Sequence, residues 1–108
     1  MYELIKVFAN IELFSGENMR QTPFSKGYRP VFDFKGAQTK ISGRIDLLNM
    51  EMFAPGMSGV VEITFIKGMI SDTYFVIGEN FTFGEGPHPL GKGQIIETID
   101  SKSSAPVL

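Results

Sequence analysis

The residues between Gly86 and Gly93 come closest to a known chemical motif. Their sequence, GPHPLGKG, matches G-x-x-x-x-G-K, in which backbone N–H groups and a lysine hold phosphates. Gly93 stands where that motif needs Ser or Thr to ligate Mg²⁺, and two prolines stiffen the loop. The residues that follow have the pattern of a strand, not of a helix whose N-terminus could bind phosphate. We therefore interpret the stretch as a hairpin loop and predict no nucleotide site.

The titratable side chains do not form a recognisable catalytic set. His88 is the only histidine, and it lies between two prolines in this loop. A nucleophilic triad needs a base that is held by a carboxylate, and a second histidine is lacking for a metal site. The chain has no cysteine, which excludes a thiolate nucleophile and a disulfide framework. We therefore predict that the protein is not an enzyme and has no metal or other cofactor.

Basic residues concentrate in the segment from Arg20 to Arg44. Six of the ten lysines and arginines lie there with one acid, Asp33, although the whole chain has a formal net charge of −2. Such cations can bind phosphate or carboxylate through charge-assisted hydrogen bonds. The same bias is typical of a solvated face, so both interpretations stay open. A possible basic patch consists of Lys26, Arg29 and Lys40.

The elements that must position these side chains have the pattern of strands. Apolar residues occupy every second position from Ile5 to Leu13, which is the period of a half-buried strand. Turn signals such as Ala54-Pro55-Gly56 separate similar runs, and a long glycine-rich connection is predicted over Gly84–Gly93. Short strands spaced in this way predict an antiparallel sandwich or a small closed barrel. The predicted strands cover residues 5–13, 31–34, 41–47, 59–65, 73–77 and 94–99.

The composition is that of a soluble globular domain. Of the 108 residues, 43% are hydrophobic and 20% are charged, and no apolar run is long enough for a membrane helix. The charged and alternating N-terminal residues do not resemble a signal peptide, so a cytoplasmic location is the default expectation. We predict a single β-domain over residues 1–100 and a flexible polar tail over residues 101–108.

Residues 20–34, RQTPFSKGYRPVFDF, combine cations, turn residues and aromatic rings. Pro23 and Pro30 exclude a regular central strand at their own positions, and Gly27 indicates a turn between them. The segment is therefore predicted to be a loop that leads into a strand. Its aromatic residues are predicted to fill the core, with stacking on nucleic-acid bases as the alternative. They are Phe24, Tyr28, Phe32 and Phe34.

This stretch resembles a signature of the C-terminal β-barrel, domain III, of bacterial elongation factor Tu. That signature reads approximately R-H-T-P-F-x-x-G-Y-R-P-Q-F-x-F. Four further segments resemble the same barrel in the same order, so the similarity runs from about residue 7 to residue 99. They are ISGRIDL (41–47), MFAPGMSGVVEITFIK (52–67), YFVIGE (74–79) and GKGQII (91–96).

The resemblance implies a small six-stranded antiparallel closed barrel with no catalytic residues of its own. In the full factor this barrel packs on the GTPase domain, meets the nucleotide exchange factor and contacts the T-arm backbone of aminoacyl-tRNA. Ser42 replaces a threonine of the family and keeps a hydroxyl for a phosphate or a 2′-OH. The positions that match the tRNA-binding residues of the family are Arg20, Gln21, Ser42, Lys67 and Glu79.

The chain also departs from the family pattern. Val31 stands where the family has a glutamine, Asn80 replaces a glycine, and the turn after Glu79 is rewritten without its arginine. No GTPase domain is present in the 108 residues. We therefore expect a divergent stand-alone version of the barrel, or an excised domain.

Two functions remain open after these comparisons of residues. The first is a translation-factor-like module that binds tRNA or another RNA backbone in the cytoplasm. The second is a protein-interaction module, such as an elongation factor mimic or an immunity-type or regulatory protein, that binds no RNA. Its apolar contact residues would be Met52, Phe53, Met57 and Met69, unless these side chains cap the barrel ends.

Overall fold

Six antiparallel strands close into a barrel in the computed structural model, which describes residues 3–100 of the chain, for Asp100 the backbone alone. The order of neighbouring strands around the barrel is β1-β4-β3-β2-β5-β6. This confirms the predicted all-β class and the closed six-stranded barrel. The predicted flexible tail, residues 101–108, lies outside the described residues. The strands are β1 (Leu4–Leu13), β2 (Val31–Phe34), β3 (Ile41–Leu47), β4 (Ser58–Ile66), β5 (Asn80–Gly84) and β6 (Pro89–Asp100).

Strand β1 shows how the alternating pattern produces the barrel wall. Every second side chain from Ile5 to Leu13 is buried, because side chains of a strand point alternately to its two faces. The strand pairs with β4 on one side and β6 on the other. A register shift between Phe8 and Ala9 bends the pairing with β6, which is typical of a β-bulge in a closed sheet.

The core consists largely of phenylalanine rings that lie against glycines. Phe81 and Phe83 of β5 pair with Gly93 and Gly91 of β6. A Cβ atom on Gly91 would lie 2.3 Å from the Phe83 ring, and one on Gly93 would lie 2.6 Å from the Phe81 ring. The glycines thus leave the space that the rings fill. Eight of the ten phenylalanines are buried: Phe24, Phe32, Phe34, Phe53, Phe65, Phe75, Phe81 and Phe83.

The glycine-rich connection predicted over Gly84–Gly93 is wrong in its extent. Only residues 85–88 connect β5 to β6, and Pro89 is the first residue of β6, where a missing N–H is tolerated. Gly91 and Gly93 belong to β6, where they accommodate the aromatic rings of β5. The predicted hairpin loop is therefore shorter than its composition suggests.

The strand predicted over residues 73–77 is also wrong. Asp72–Tyr74 form a 3-10 helix, which Ser71 caps with its hydroxyl oxygen at 3.3 Å from the Thr73 amide nitrogen. Phe75 then turns into the core, where its ring centroid lies 5.0 Å from that of Phe65. Burial of this one ring stabilises an irregular segment whose β-branched composition alone favours a strand.

The connections lie at the two ends of the barrel. We call the upper end the one that carries residues 14–30, 48–57 and 85–88, and the lower end the one that carries residues 35–40 and 67–79. At the upper end, Phe24 and Phe53 exchange backbone hydrogen bonds of 3.0 and 2.8 Å. Their rings stack at 5.3 Å, and Tyr28 stacks on Phe24 at 4.4 Å. Three aromatic rings therefore close the upper end.

No helix within residues 3–100 is both long enough and apolar enough to cross a membrane.

Candidate functional site

An open groove of about 650 Å³ runs over the outer surface of strands β1, β4 and β3. Its lining includes four cationic and two acidic side chains, so the groove is locally positive although the whole chain is slightly negative. We call it the outer groove. Its charged residues are Lys6, Lys26, Arg29, Arg44, Asp46 and Glu62.

The strand register brings three of the four cations of the outer groove into one row. Arg44 of β3 pairs with Thr64 of β4, and Thr64 pairs with Lys6 of β1. An antiparallel bridge joins Tyr28 to Ile45, so the next residue, Arg29, lies beside Arg44. Neighbouring strands are about 4.8 Å apart. The row Arg29–Arg44–Thr64–Lys6 therefore spans about 14 Å across the barrel surface.

Backbone hydrogen bonds hold the loop residues at the groove edge. The Gly27 amide donates to the Ile45 carbonyl oxygen at 2.9 Å, and the Ile45 amide donates to the Tyr28 carbonyl oxygen at 2.8 Å. Gly27 has a φ angle of +91°, a conformation that favours glycine because it lacks a Cβ atom. This turn extends β2 along β3 beyond its regular strand and directs Lys26 and Arg29 to the groove.

The charges of the outer groove fall into two classes. Arg44 donates from Nε to Asp46 Oδ1 at 3.1 Å, and Lys6 Nζ lies 3.9 Å from Glu62 Oε1. Within residues 3–100, the exposed side chains of Lys26 and Arg29 form no ion pair or hydrogen bond. These two cations are therefore available for a ligand.

The remaining lining adds hydroxyl groups and an apolar floor. Ser42 lies in the groove beside Val31 of β2, and Thr64 lies between Arg44 and Lys6. Hydroxyls of this kind hydrogen-bond to phosphate oxygens or to a ribose 2′-OH. The apolar side chains of the groove are Leu4, Leu47, Leu48 and Ile66.

Arg20, which the resemblance places among the RNA contacts, is held by other residues of the protein. Its guanidinium forms an ion pair with Glu85. Nε donates to the Thr22 carbonyl oxygen at 2.8 Å and Nη2 donates to the Pro23 carbonyl oxygen at 3.4 Å. The guanidinium carbon also lies 4.7 Å from the centroid of the Tyr28 ring. We call Arg20, Tyr28 and Glu85 the latch.

The latch joins two connections at the upper end of the barrel. The Tyr28 hydroxyl donates to the same Glu85 oxygen that accepts from Arg20. Burial raises the pKa of the Tyr28 phenol well above its usual range, and the hydrogen bond to Glu85 and the Glu85 charge raise it further. The phenol therefore stays protonated and keeps donating. Because Tyr28 precedes Arg29, the latch holds the edge of the outer groove.

The other positions that match the family lie outside the outer groove. Gln21 stabilises the connection between β1 and β2, since its Nε2 donates to the carbonyl oxygens of Gly16 and Met19 at 2.8 and 2.7 Å. Lys67 lies at the lower end, where its Nζ is 3.7 Å from Asp72 Oδ2. Glu79 precedes β5 at the same end and pairs its backbone with Ile95. The structure thus brings only Ser42 of these five positions into the groove.

The predicted basic patch is divided in the same way. Lys26 and Arg29 lie in the outer groove, whereas Lys40 lines a small pocket of about 90 Å³ together with His88. Sequence reasoning did not select Lys6, Arg44 or Thr64 as site residues. Each lies at an outward position of a predicted strand, but only the register of three strands shows that they are neighbours.

The side chains of the outer groove include several hydrogen-bond donors. Guanidinium, ammonium and hydroxyl groups can donate hydrogen bonds to an anion. Within residues 3–100, no three histidine, aspartate or glutamate side chains lie close enough together to hold a metal ion. The groove is therefore suited to an anionic ligand.

A comparison with protein-family models finds none that matches this chain.

Proposed function

We propose that the protein is a non-catalytic, translation-factor-like module that binds the phosphate backbone of RNA in the outer groove. The observation that carries this proposal is the row of cations beside hydroxyl groups, with Lys26 and Arg29 in no ion pair within residues 3–100. Sequence-independent binding of nucleic acid depends mainly on such cations, which release counterions from the phosphates. The resemblance to domain III of elongation factor Tu supports a tRNA as the RNA.

The net charge of −2 does not exclude this function. Screening limits the reach of an exposed charge to about 8–10 Å in physiological salt. A phosphate in the outer groove therefore responds to the four cations that line it more than to acids elsewhere on the barrel. Local potential, and not the average, determines whether an anionic chain is attracted.

Filter binding of an unmodified tRNA transcript at 50 and 200 mM salt tests the proposal. We expect the double variant Lys26→Ala/Arg29→Ala to bind at least about tenfold more weakly at low salt, with a salt slope that is smaller by about 2. The matched control is Lys35→Ala/Lys92→Ala, which removes the same charge from exposed positions outside the groove. Affinity of the parent chain no better than millimolar, or equal losses in both double variants, would contradict the proposal.

A second candidate function is protein binding at the lower end of the barrel. Met69 and Ile77 are 60% and 72% exposed in the connection between β4 and β5. Exposed methionine and branched apolar side chains are typical of adaptable protein contacts. Of the apolar residues predicted for this role, Met52 is also exposed, whereas Phe53 is fully buried in the core.

Affinity purification with ribonuclease treatment distinguishes the second function from the first. A protein that is recovered by the parent chain, and lost with Met69→Ser/Ile77→Ser, would favour the lower end as the functional surface. The matched control is Val60→Ser/Ile96→Ser, which removes exposed apolar groups from β4 and β6 outside the outer groove. Recovery that depends on intact RNA would instead favour the outer groove.

A further inference from the structure

We infer that Asp46 and Glu62 act as built-in counter-anions that weaken the hold of the outer groove on a phosphate backbone. The inference rests on the proposed function and concerns two residues that neither the pattern of the sequence nor the resemblance assigns to binding. It predicts that removal of either negative charge tightens binding of nucleic acid. A merely structural role for the two acids predicts the opposite.

The strand register places the two acids side by side in the wall of the groove. Asp46 of β3 pairs with Glu62 of β4, one outward position away from the pair Arg44 and Thr64. Like charges that lie directly opposite each other on neighbouring strands are unfavourable. The two carboxylates therefore do not stabilise the pairing of β3 with β4, except through the cations that face them.

Each acid faces one cation of the row and lies deeper than that cation. Asp46 contacts Arg44 Nε at 3.1 Å, and Glu62 lies 3.9 Å from Lys6 Nζ. The acidic side chains are 15% and 23% exposed, whereas Arg44 and Lys6 are 43% and 44% exposed. A ligand that enters from solvent thus meets the more exposed cations first, and the less exposed carboxylates partly neutralise the charge of those cations.

Two effects of the acids oppose each other. The acids hold Arg44 and Lys6 in place, which favours binding, and they repel the phosphate of a ligand, which disfavours it. These partly exposed ion pairs do little to order the two cations, because only Nε of Arg44 is bonded and the Lys6 contact is long. The repulsion between the carboxylates and the ligand is also screened by salt, but it acts on every phosphate within the screening distance. We therefore expect repulsion to dominate.

The test measures binding of the tRNA transcript to the whole chain with neutral replacements of equal shape. Asp46→Asn and Glu62→Gln are each expected to bind about three- to tenfold more tightly at 50 mM salt. Each replacement makes one more cation effective, so the salt slope should steepen by about 0.7–0.9 per variant. The double variant should show about twice that steepening of the salt slope, because the two acids act on different cations.

Two controls separate this inference from a general effect of charge. Asp33→Asn makes the same charge change at an exposed position outside the outer groove, and its affinity should stay within about twofold of the parent chain. Asp46→Glu keeps the negative charge and should not tighten binding. Circular dichroism of each variant verifies that the barrel is folded.

The outcomes distinguish this inference from the proposed function. If the parent chain binds RNA and both neutral variants bind equally or more weakly, the acids are positioning residues and the inference is overturned while the function stands. If the parent chain and all variants fail to bind at low salt, the proposed function is overturned and the inference with it. Tighter binding with an unchanged salt slope would also contradict the inference, because no additional protein cation would then neutralise a phosphate.

Discussion

Arg20 and Arg29 lie in the same connection between β1 and β2, but the structure uses them differently. Arg20 is held in the latch by a carboxylate, two carbonyl oxygens and an aromatic ring. Arg29 is exposed at the groove edge and forms no ion pair within residues 3–100. A guanidinium whose three nitrogens each donate to a protein oxygen stabilises the protein, whereas one without protein partners can bind a ligand.

The difference shows that residue type does not identify a binding residue. Both arginines lie in the stretch that resembles the elongation factor, and the resemblance assigns a tRNA contact to Arg20 alone. The hydrogen-bond partners favour Arg29, because a ligand at Arg20 would have to replace contacts that are already made. The two regions, latch and outer groove, can be separated by variants that change stability and variants that change affinity.

The largest effect on stability is expected at Phe53, whose ring stacks below Phe24 and Tyr28 at the upper end. Phe53→Ala should lower the free energy of unfolding by about 3–5 kcal/mol, because a fully buried ring is replaced by a cavity. Urea unfolding measures the loss. Amide hydrogen exchange should accelerate at Phe24, whose N–H donates to the Phe53 carbonyl oxygen.

Met52→Ala is the neighbouring control for this variant. Met52 is half exposed, so its truncation should change stability by less than about 0.5 kcal/mol. A similar cost for Phe53→Ala and Met52→Ala would show that the three stacked rings at the upper end contribute little. The packing at the upper end would then not be what stabilises the edge of the outer groove.

A smaller effect is expected when the latch itself is removed. Arg20→Ala should cost about 1–2 kcal/mol, since it breaks hydrogen bonds to two carbonyl oxygens and one partly exposed ion pair. Its salt slope for tRNA binding should remain that of the parent chain. Urea unfolding and filter binding on the same preparation measure both quantities.

Arg29→Ala is the matched variant for the groove. We expect a stability change within about 0.5 kcal/mol and a salt slope smaller by about 1. If Arg20→Ala reduces the slope as much as Arg29→Ala does, Arg20 contacts phosphate directly. That result would favour the assignment that the resemblance implies over the one that the contacts favour.

Local patterns were sufficient to predict most of the barrel. Alternation in β1, β3 and β4 depends on neighbours two residues apart, so it is visible in the sequence. The errors occurred where a distant contact decides the local structure. The residues around Phe75 do not form a strand, because the Phe75 ring packs against Phe34 and Phe65 in the core. Gly91 lies in β6 because the Phe83 ring occupies the space that a Cβ atom would take.

The outer groove could be predicted only in part for the same reason. Lys26 and Arg29 belong to one visible cluster of basic residues, but Lys6 is far away in sequence and becomes their neighbour through the register of β1, β4 and β3. The ion-pair partner of Arg20 was equally hidden, because Glu85 lies in the connection between β5 and β6. Composition shows which charges exist, and pairing between distant strands decides which of them remain available.

The smallest effect concerns the phenol of the latch. The pKa of Tyr28 is raised in the folded protein, so above about pH 10 the unfolded chain releases this proton while the folded chain retains it. Stability should therefore fall as the pH rises past this value. Tyr28→Phe lacks this titration, so the parent chain should lose more stability than the variant between pH 9 and pH 11. The difference should not exceed about 1 kcal/mol, because the ring is partly exposed.

Urea unfolding of the parent chain and Tyr28→Phe at pH 9, 10 and 11 measures this difference directly. Other groups that titrate in this range are common to both proteins, so they cancel in the comparison. Parallel loss of stability in the two proteins would show that the phenol ionises equally in the folded and unfolded states. The hydrogen bond to Glu85 would then not hold Tyr28, and Arg29 beside it would owe its position to the backbone pairing with β3 alone.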